Sequence, residues 1–426
     1  MTTTTTTTPA TNAAAPARTS YALLLAVLCS LNAGGLFASD INLPGVPSTA
    51  HALDVPVSSV QWTFSAFMIG IAISQAVYGP LSDAYGRKRV IVSGLGVFVV
   101  ASVLCAVAPT VEFFGAGRLL QALGAGSGMV IGRAVISDLY EEKDAARMFA
   151  TVMPIVGVSP SVAPLVGGYL TTYVSWRAPF VVTALIGLLT LIAMVAWVPE
   201  SLPPERRSRH LGATLRGYPR LLAHPLFWAY TLNLVVAYGG YFGYLAASPL
   251  IFQKLGLATV TTSYCYITVS VAYVAGNLTS RSLVRNHPVN RLLWWGHAVF
   301  FTGALLMLGL GLSDVGGRWG LLVLAFMPVM TFGNGFLLPL SMSAGVTTFR
   351  STAGSASGLM GALQLLGASL GIFCVSRLPS GDLFSLGWFV LGAALLGVMA
   401  FRLFLTLAAR RDGDTGQAAR ATQRNV

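Results

Sequence analysis

The chain has 426 residues, of which 55% are hydrophobic and 9% charged, and it carries a net charge of +12. An ordinary soluble domain is about a quarter charged, and no soluble fold of this length hides so much apolar surface, so soluble enzymes and free binding modules are excluded. A basic excess fits nucleic acid only when it gathers into a patch or stripe; here it is scattered through short segments between apolar runs, so no nucleic-acid partner is expected.

The mean hydropathy of +0.72 is carried by many separate apolar runs. They are continuous and do not alternate with period two, which predicts membrane-spanning helices and not barrel strands, because only closed hydrogen-bond systems survive in lipid. The lipid bilayer is thus the first expected partner. Cys29, Cys105, Cys265 and Cys374 each lie inside an apolar run without a close sequence partner, which indicates neither a disulfide framework nor a zinc site. No metal and no cofactor are expected.

Residues 1–19, rich in Thr, Ala and Pro, read as a disordered tail. The run from Tyr21 to Phe37 with Ala38 behind it resembles a signal peptide, but it continues through Asp40 to Pro44, and its removal would leave an odd number of spans, so it reads as a first helix over 21–44. Further spans are predicted at 58–80, 90–108, 114–137, 148–170 and 178–198, completing a six-helix bundle over 20–198. The polar stretch 199–224 reads as a cytoplasmic central loop. Spans at 226–252, 260–283, 292–312, 319–342, 354–376 and 384–406 form a second bundle over 225–406, followed by a cytoplasmic tail over 407–426.

The positive charges test this alternation. Arg18, Arg87, Lys88, Arg89, Lys143, Arg147, the five arginines between Arg206 and Arg220, Arg281, Arg285, Arg291, Arg350, Arg410, Arg411, Arg420 and Arg424 fall on one side, and Arg177, Lys254, Arg318 and Arg377 on the other. Such a bias places both termini in the cytoplasm. A faint repeat joins the halves: the segment Gly79 to Ala84 closes the second span and the segment Gly276 to Arg281 closes the eighth, as duplicated transporter halves require.

Three segments carry candidate chemistry. In the run Gly79-Pro80-Leu81-Ser82-Asp83-Ala84-Tyr85-Gly86-Arg87-Lys88-Arg89, Gly79 and Gly86 permit close packing and a tight turn. Asp83 is suited to accept from a helix amino terminus, and Arg87 to pair with Asp138 at the end of the fourth span. In the fourth span, Arg118 with Gln121 on the same face is costly in hydrocarbon unless it meets a cavity or a partner; snorkelling to the nearby interface is the alternative. Gly124, Gly128 and Gly132 form a small-residue stripe for helix packing. The fifth span holds Pro154, Gly157, Pro160, Pro164, Gly167 and Gly168, residues that interrupt a helix ladder and admit close neighbours.

Asp40 is the single acid placed at hydrocarbon depth, which makes it a functional candidate, with capping of the first helix as the alternative. Burial favours its neutral form and a nearby guanidinium its carboxylate, so Asp40 and Arg118 together suit a site that loads and releases a proton. Asn32 lies two turns deeper on a similar side. Tyr238, Tyr241 and Phe242 in the seventh span and Asn334 in the tenth suit a wall for hydrophobic or cationic small molecules, or else the helix core.

The segment Gly79 to Arg89 resembles the loop between helices two and three of the major facilitator superfamily, although Ala84 stands where that family usually has arginine. Arg118 to Gly124 resembles the family's fourth-helix motif, and Ala163-Pro164-Leu165-Val166-Gly167-Gly168 its antiporter motif in the fifth helix, with Ala163 in place of glycine. Ser39 to Pro47, with Asn42 where an aromatic is more usual, Gly333 to Phe336 and Ala353 to Ser357 are similar to the Bcr/CflA-type drug exporters. The resemblance implies an all-α membrane protein of twelve helices in two pseudo-symmetric bundles. It implies proton-driven export of small hydrophobic or amphipathic drugs by a monomer in the inner membrane, with Asp40 and Arg118 in proton coupling, Asn32, Gln121, Tyr238, Tyr241, Phe242 and Asn334 toward the drug, and Gly79, Asp83, Gly86, Arg87, Asp138, Pro160, Pro164, Gly167 and Gly168 in conformational gating. A proton-coupled metabolite or nutrient transporter of the same fold is the alternative. No zinc-protease, nucleophile-elbow or ATP-binding signature is present in the sequence, so an enzyme or ATP-driven pump is not expected.

Overall fold

A computed structural model describes residues 21–140, 142–207, 218–312, 322–349, 352–378 and 382–424. The tail expected over 1–19 lies outside these residues, as do Arg18, Arg318 and Arg350. The described residues form twelve long helices, here α1 (Tyr21–Asp40), α2 (Val57–Tyr85), α3 (Arg87–Ala106), α4 (Val111–Leu139), α5 (Glu142–Tyr173), α6 (Ala178–Trp197), α7 (Pro225–Lys254), α8 (Thr259–Leu283), α9 (Val289–Leu312), α10 (Val323–Thr348), α11 (Ala353–Ser376) and α12 (Leu383–Arg424). Two short helices, Val46–Ala52 and Tyr218–Leu222, and one 3-10 turn, Pro204–Arg206, lie between them.

Ten of the twelve are long and apolar enough to cross a membrane by length and composition. The remaining two, α5 and α8, pack on one another. On α8 the polar residues Thr262, Ser263 and Tyr266 are buried, so this helix keeps hydroxyls because protein faces them in place of lipid.

The packing repeats with an offset of six helices. In the first half α1 packs on α4, α5 and α6, α2 on α4, and α3 on α4 and α6; in the second, α7 packs on α10, α11 and α12, α8 on α10, and α9 on α10 and α12. The contacts across the halves obey the same symmetry: α2 meets α11, and α5 meets α8. This is the pseudo-symmetric pair of six-helix bundles that the sequence predicts.

Four side-chain hydrogen bonds latch the halves at one end. Gln61 Nε2 donates to the Ala246 carbonyl at 2.7 Å, Ser65 and Ser369 each donate to the other's carbonyl at 3.0 and 3.1 Å, and the hydroxyls of Tyr169 and Tyr264 lie 2.6 Å apart. This is the end at which α1 finishes and α2 begins.

Three expectations are corrected. The first helix stops at Asp40 and does not reach Pro44: Leu43 N bonds back to Asp40 O and Gly45 N to Asn42 O, a tightening enforced by Pro44, which has no N–H and disfavours helix at Leu43. The last helix does not end near 406 but runs to Arg424, because Ala, Arg and Gln sustain a helix beyond the apolar stretch. Gly79 needs no close approach, since nothing lies within 4 Å of where its Cβ would sit. Gly86 is different: it alone links α2 to α3 with φ at +96°, a conformation that side chains resist.

Gly167 is the tightest contact of the first bundle, because a Cβ there would overlap the backbone carbonyl of Ile41. Gly167→Ala is therefore expected to lower stability by about 1–3 kcal/mol, as overpacking does. Gly79→Ala removes a helix-weakening glycine and should raise stability by up to about 1 kcal/mol. Thermal unfolding of the two purified variants in detergent checks this opposition of sign.

Candidate functional site

Arg118 is fully buried, so it does not snorkel. Its Nη1 donates to the Ala38 carbonyl at 2.9 Å and to Gln121 Oε1 at 2.7 Å, and Nη2 reaches the Ser39 carbonyl at 3.4 Å. These carbonyls belong to the last turn of α1, where the helix has no backbone donors left for them and where its dipole is negative. The guanidinium lies over the Phe67 ring at 4.1 Å, with Phe64 at 5.3 Å and Phe180 at 5.8 Å, a cation–π cage that offsets part of its desolvation. Gln121 Nε2 donates in turn to Ser102 Oγ at 2.9 Å. With both ends of its amide engaged and the residue fully buried, Gln121 supports Arg118.

Asp40 is the last residue of α1 and is 6% exposed. It forms no ion pair with Arg118, whose hydrogen bonds go to the carbonyls just before it; the two charges act on one another at longer range. Tyr238 and Tyr241 of α7 and Tyr266 of α8 lie within electrostatic range of this carboxyl, with no hydrogen bond joining them to it. Asp40 thus stands near the seam, with a guanidinium on its own side and phenols of the other bundle opposite.

Phe242 meets Tyr238 at a tilt and Tyr241 edge-on, its ring centroid 5.1 and 5.2 Å from theirs, so this part of the expected aromatic wall is one cluster. Tyr266 is tied to Ser248 at 2.8 Å. Asn334 is buried between Gly333 and Gly335, which press on the backbones of α9 and α8, and neither end of its amide has a partner among the described residues. Asn32 sits elsewhere, in the seam of α1 and α4, donating to Leu28 O at 2.8 Å and filling the space beside Gly132. Next to Asp40, Asn42 is completely buried with both amide ends unpartnered among the described residues.

At the opposite ends of these helices, Arg87 gathers the second cluster. Its Nε donates to Asp138 Oδ2 at 3.0 Å, and Nη1 pairs with Asp83. Asp83 does not accept from the α3 amino terminus as expected; Glu200 does, from Arg87 N at 2.9 Å and Lys88 N at 3.4 Å. The reason is geometric: Asp83 precedes the turn at Gly86 and reaches the guanidinium four residues on, whereas Glu200 enters from beyond α6, so close that a Cβ on Gly86 would strike it. Ser201 adds a bond to Asp138 at 3.2 Å.

Pro160 and Pro164 lie within an unbroken α5, Pro164 buried; the side chains of Pro154 and Gly157 lie outside the described residues. Gly167 faces α1, and Gly168 faces Ser263 of α8.

A charge-lined family of membrane helices with this symmetry is decided by comparison: the family model described as Major Facilitator Superfamily matches residues 24–372. The chain belongs to the Major Facilitator Superfamily. It is a multi-pass membrane transporter and not an enzyme. It is 30% identical over 389 residues to multidrug resistance protein D of Escherichia coli (strain K12), covering 91% of this chain and 96% of that one. It is 29% identical over 411 residues to a chloramphenicol resistance protein of Pseudomonas aeruginosa, covering 92% and 93%. It is 25% identical over 344 residues to a bicyclomycin resistance protein homolog of Haemophilus influenzae, covering 80% and 85%. Among solved structures, a D-xylose-proton symporter shares the fold with a TM-score of 0.70 at 16% identity, over 88% of this chain and 96% of that one.

Some residues of this facilitator escaped sequence reasoning. Glu200 stands just after α6 in a polar loop, and only its position there as an acid marked it. Phe64, Phe67 and Phe180 read as ordinary core until Arg118 is placed among them. Arg133, exposed on α4 with Nε on Met129 O at 2.9 Å, is an intramembrane cation that the charge tally left aside; exposure there calls for a water-filled face.

Because Arg87 and Asp138 are largely buried and share one bond, a double-mutant cycle with Arg87→Ala and Asp138→Ala should give a coupling energy of about 0.5–3 kcal/mol, read by unfolding in detergent. Lysine cannot donate in two directions while lying flat on a ring. Arg118→Lys is therefore expected to lower the unfolding temperature of the facilitator and to weaken transport, whereas Arg133→Lys leaves the unfolding temperature within about 1 °C of wild type, since exposed substitutions cost little.

Proposed function

We propose that the protein exports small hydrophobic or amphipathic drugs in exchange for protons across the cytoplasmic membrane, acting as a monomer with both termini in the cytoplasm. The observation that carries this reading is the placement of Asp40: a buried carboxyl at the end of α1, following the carbonyls that hold a caged Arg118. The names of the bacterial relatives support drugs as the cargo class, and the structural likeness to a sugar symporter speaks for the fold alone.

The positive-charge bias places the latched end outside and the Arg87 cluster at the cytoplasmic surface. On this reading 20–198 and 225–406 are the two rocking bundles, 199–224 is their cytoplasmic connector, and 407–426 is a cytoplasmic tail. A proton taken up by an Asp40 carboxylate oxygen removes the counter-charge to Arg118 at the seam. On this reading that loss favours parting of the outer latch, and release of the proton restores it. Tyr238, Tyr241 and Phe242 supply a sequence-tolerant aromatic wall for the drug, and Asn334 a polar group free to bond it. Asn32 and Gln121 hold together the first bundle, Asn32 beside Gly132 and Gln121 on Arg118. Asp83, Gly86, Arg87 and Asp138 fasten the cytoplasmic end of the first bundle, in which the bare face of Gly79 takes no part, and Pro160, Pro164, Gly167 and Gly168 shape the helix on which the bundles move.

The test is energised accumulation of a panel of antibiotics and cationic dyes in an efflux-deficient bacterium, with and without a protonophore. Wild type should lower accumulation of at least one compound and lose that effect with the protonophore. Asp40→Asn should insert normally and accumulate that compound to the level of cells lacking the protein. Protonophore-sensitive export by Asp40→Asn would place the coupling elsewhere.

A further inference from the structure

The seam between α2 and α11 carries, on its outer surface, an elongated groove of about 720 Å³. Its floor is the pair of reciprocal bonds between Ser65 and Ser369. Its walls are Trp62 on one side and Leu370 and Phe373 on the other, 37%, 60% and 45% exposed. At the end of the groove stands Arg377, exposed, resting on the Phe373 ring at 5.0 Å and without an ion pair among the described residues.

We propose that this groove binds one phospholipid with an anionic headgroup, its phosphate at Arg377 and one acyl chain lying along the α2–α11 seam. Charge and length both select this occupant. Arg377 faces the first turn of α2 across the groove mouth, where Ser58 and Ser59 supply hydroxyls, and that turn carries no acid and no capping side chain. A guanidinium, two hydroxyls and the positive end of a helix suit a phosphodiester and repel a cationic drug. From Ser58 to Ile69, and from Arg377 back to Leu366, the groove runs for eleven residues on each helix, about 16 Å at a rise of about 1.5 Å per residue. One leaflet of the hydrocarbon core is about 15 Å deep. A headgroup held at Arg377 therefore places its chain along the whole groove and ends it near the midplane.

The lipid touches both bundles at the latched end, so it binds better while α2 and α11 are together and adds to the latch by its differential affinity.

Binding is measured on the inserted protein without any transport step, so its failure leaves the exporter reading untouched. Native mass spectrometry of protein released from nanodiscs of equal phosphatidylglycerol and phosphatidylcholine should show one retained phosphatidylglycerol, favoured at least about tenfold, or about 1.4 kcal/mol. Arg377→Gln, a change at an exposed side chain, should retain both lipids equally. A photo-crosslinking residue at Leu370 should capture phosphatidylglycerol in excess of the same residue at Leu189, a lipid-facing position on α6 that is 66% exposed. Equal retention of the two lipids by wild type, an unchanged preference in Arg377→Gln, equal capture at Leu370 and Leu189, or displacement of the lipid from Leu370 by a cationic dye would each overturn the proposal.

Discussion

The structure hangs on one buried cation. Arg118 has no carboxylate on it; it is held by carbonyl groups that a helix end leaves without donors, by one glutamine oxygen, and by three phenyl rings. An unpaired charge in a low-dielectric interior is prohibitively costly, so each of these groups is constrained in turn. The last turn of α1 must stay where Arg118 finds it, Gln121 must keep its bond to Ser102, and the rings must remain stacked. Through that chain of obligations α1, α2, α3, α4 and α6 are fixed relative to one another, and Asp40 is delivered to the seam between the bundles as the residue that follows the clamped carbonyls.

The two ends of the first bundle solve opposite problems. At the end with Asp40 the arginine does not pair with the acid directly, which on the proposed function leaves that charge exchangeable. At the end with Arg87 nothing has to be released: two carboxylates take the guanidinium, a third, from Glu200, takes the helix amides, and the glycine between α2 and α3 leaves room for all of them. The difference between a labile site and a fastening is visible as the difference between an arginine bonded to neutral oxygens and one bonded to acids.

Much of this was legible in the order of residues. Helix count, the break into halves and the two candidate charges follow from hydrophobic run length and from the cost of ionised groups in lipid, both strong and local signals. The partnership of Arg87 with Asp138 was legible because few acids lie at the matching depth. What stayed hidden depends on rotation and on distant chain. Whether Gln121 faces a ligand or Arg118 is a matter of one side-chain bond. Asn32 was placed near Asp40 by its spacing along α1, yet the gap opposite Gly132 claims it. Asp83 and Glu200 are both acids near the same amides, and only the fold decides which arrives. Pro44, read as part of a continuing run, ends α1 through the missing N–H.

Gly167 and Gly168 are neighbours in the chain and face different bundles, the first pressed on the end of α1 and the second on Ser263 of α8. Successive residues of a helix point about 100° apart, so a single step along α5 passes from a seam within one bundle to the seam between the two. On the α1 side the contact is backbone on backbone, whereas on the α8 side the Ser263 side chain seats in the notch that Gly168 leaves, one residue before the Tyr169 hydroxyl that meets Tyr264. The two faces of α5 therefore differ in kind: toward its own bundle it is a flush joint with nothing to withdraw, and toward the other it is a small peg in a shallow socket.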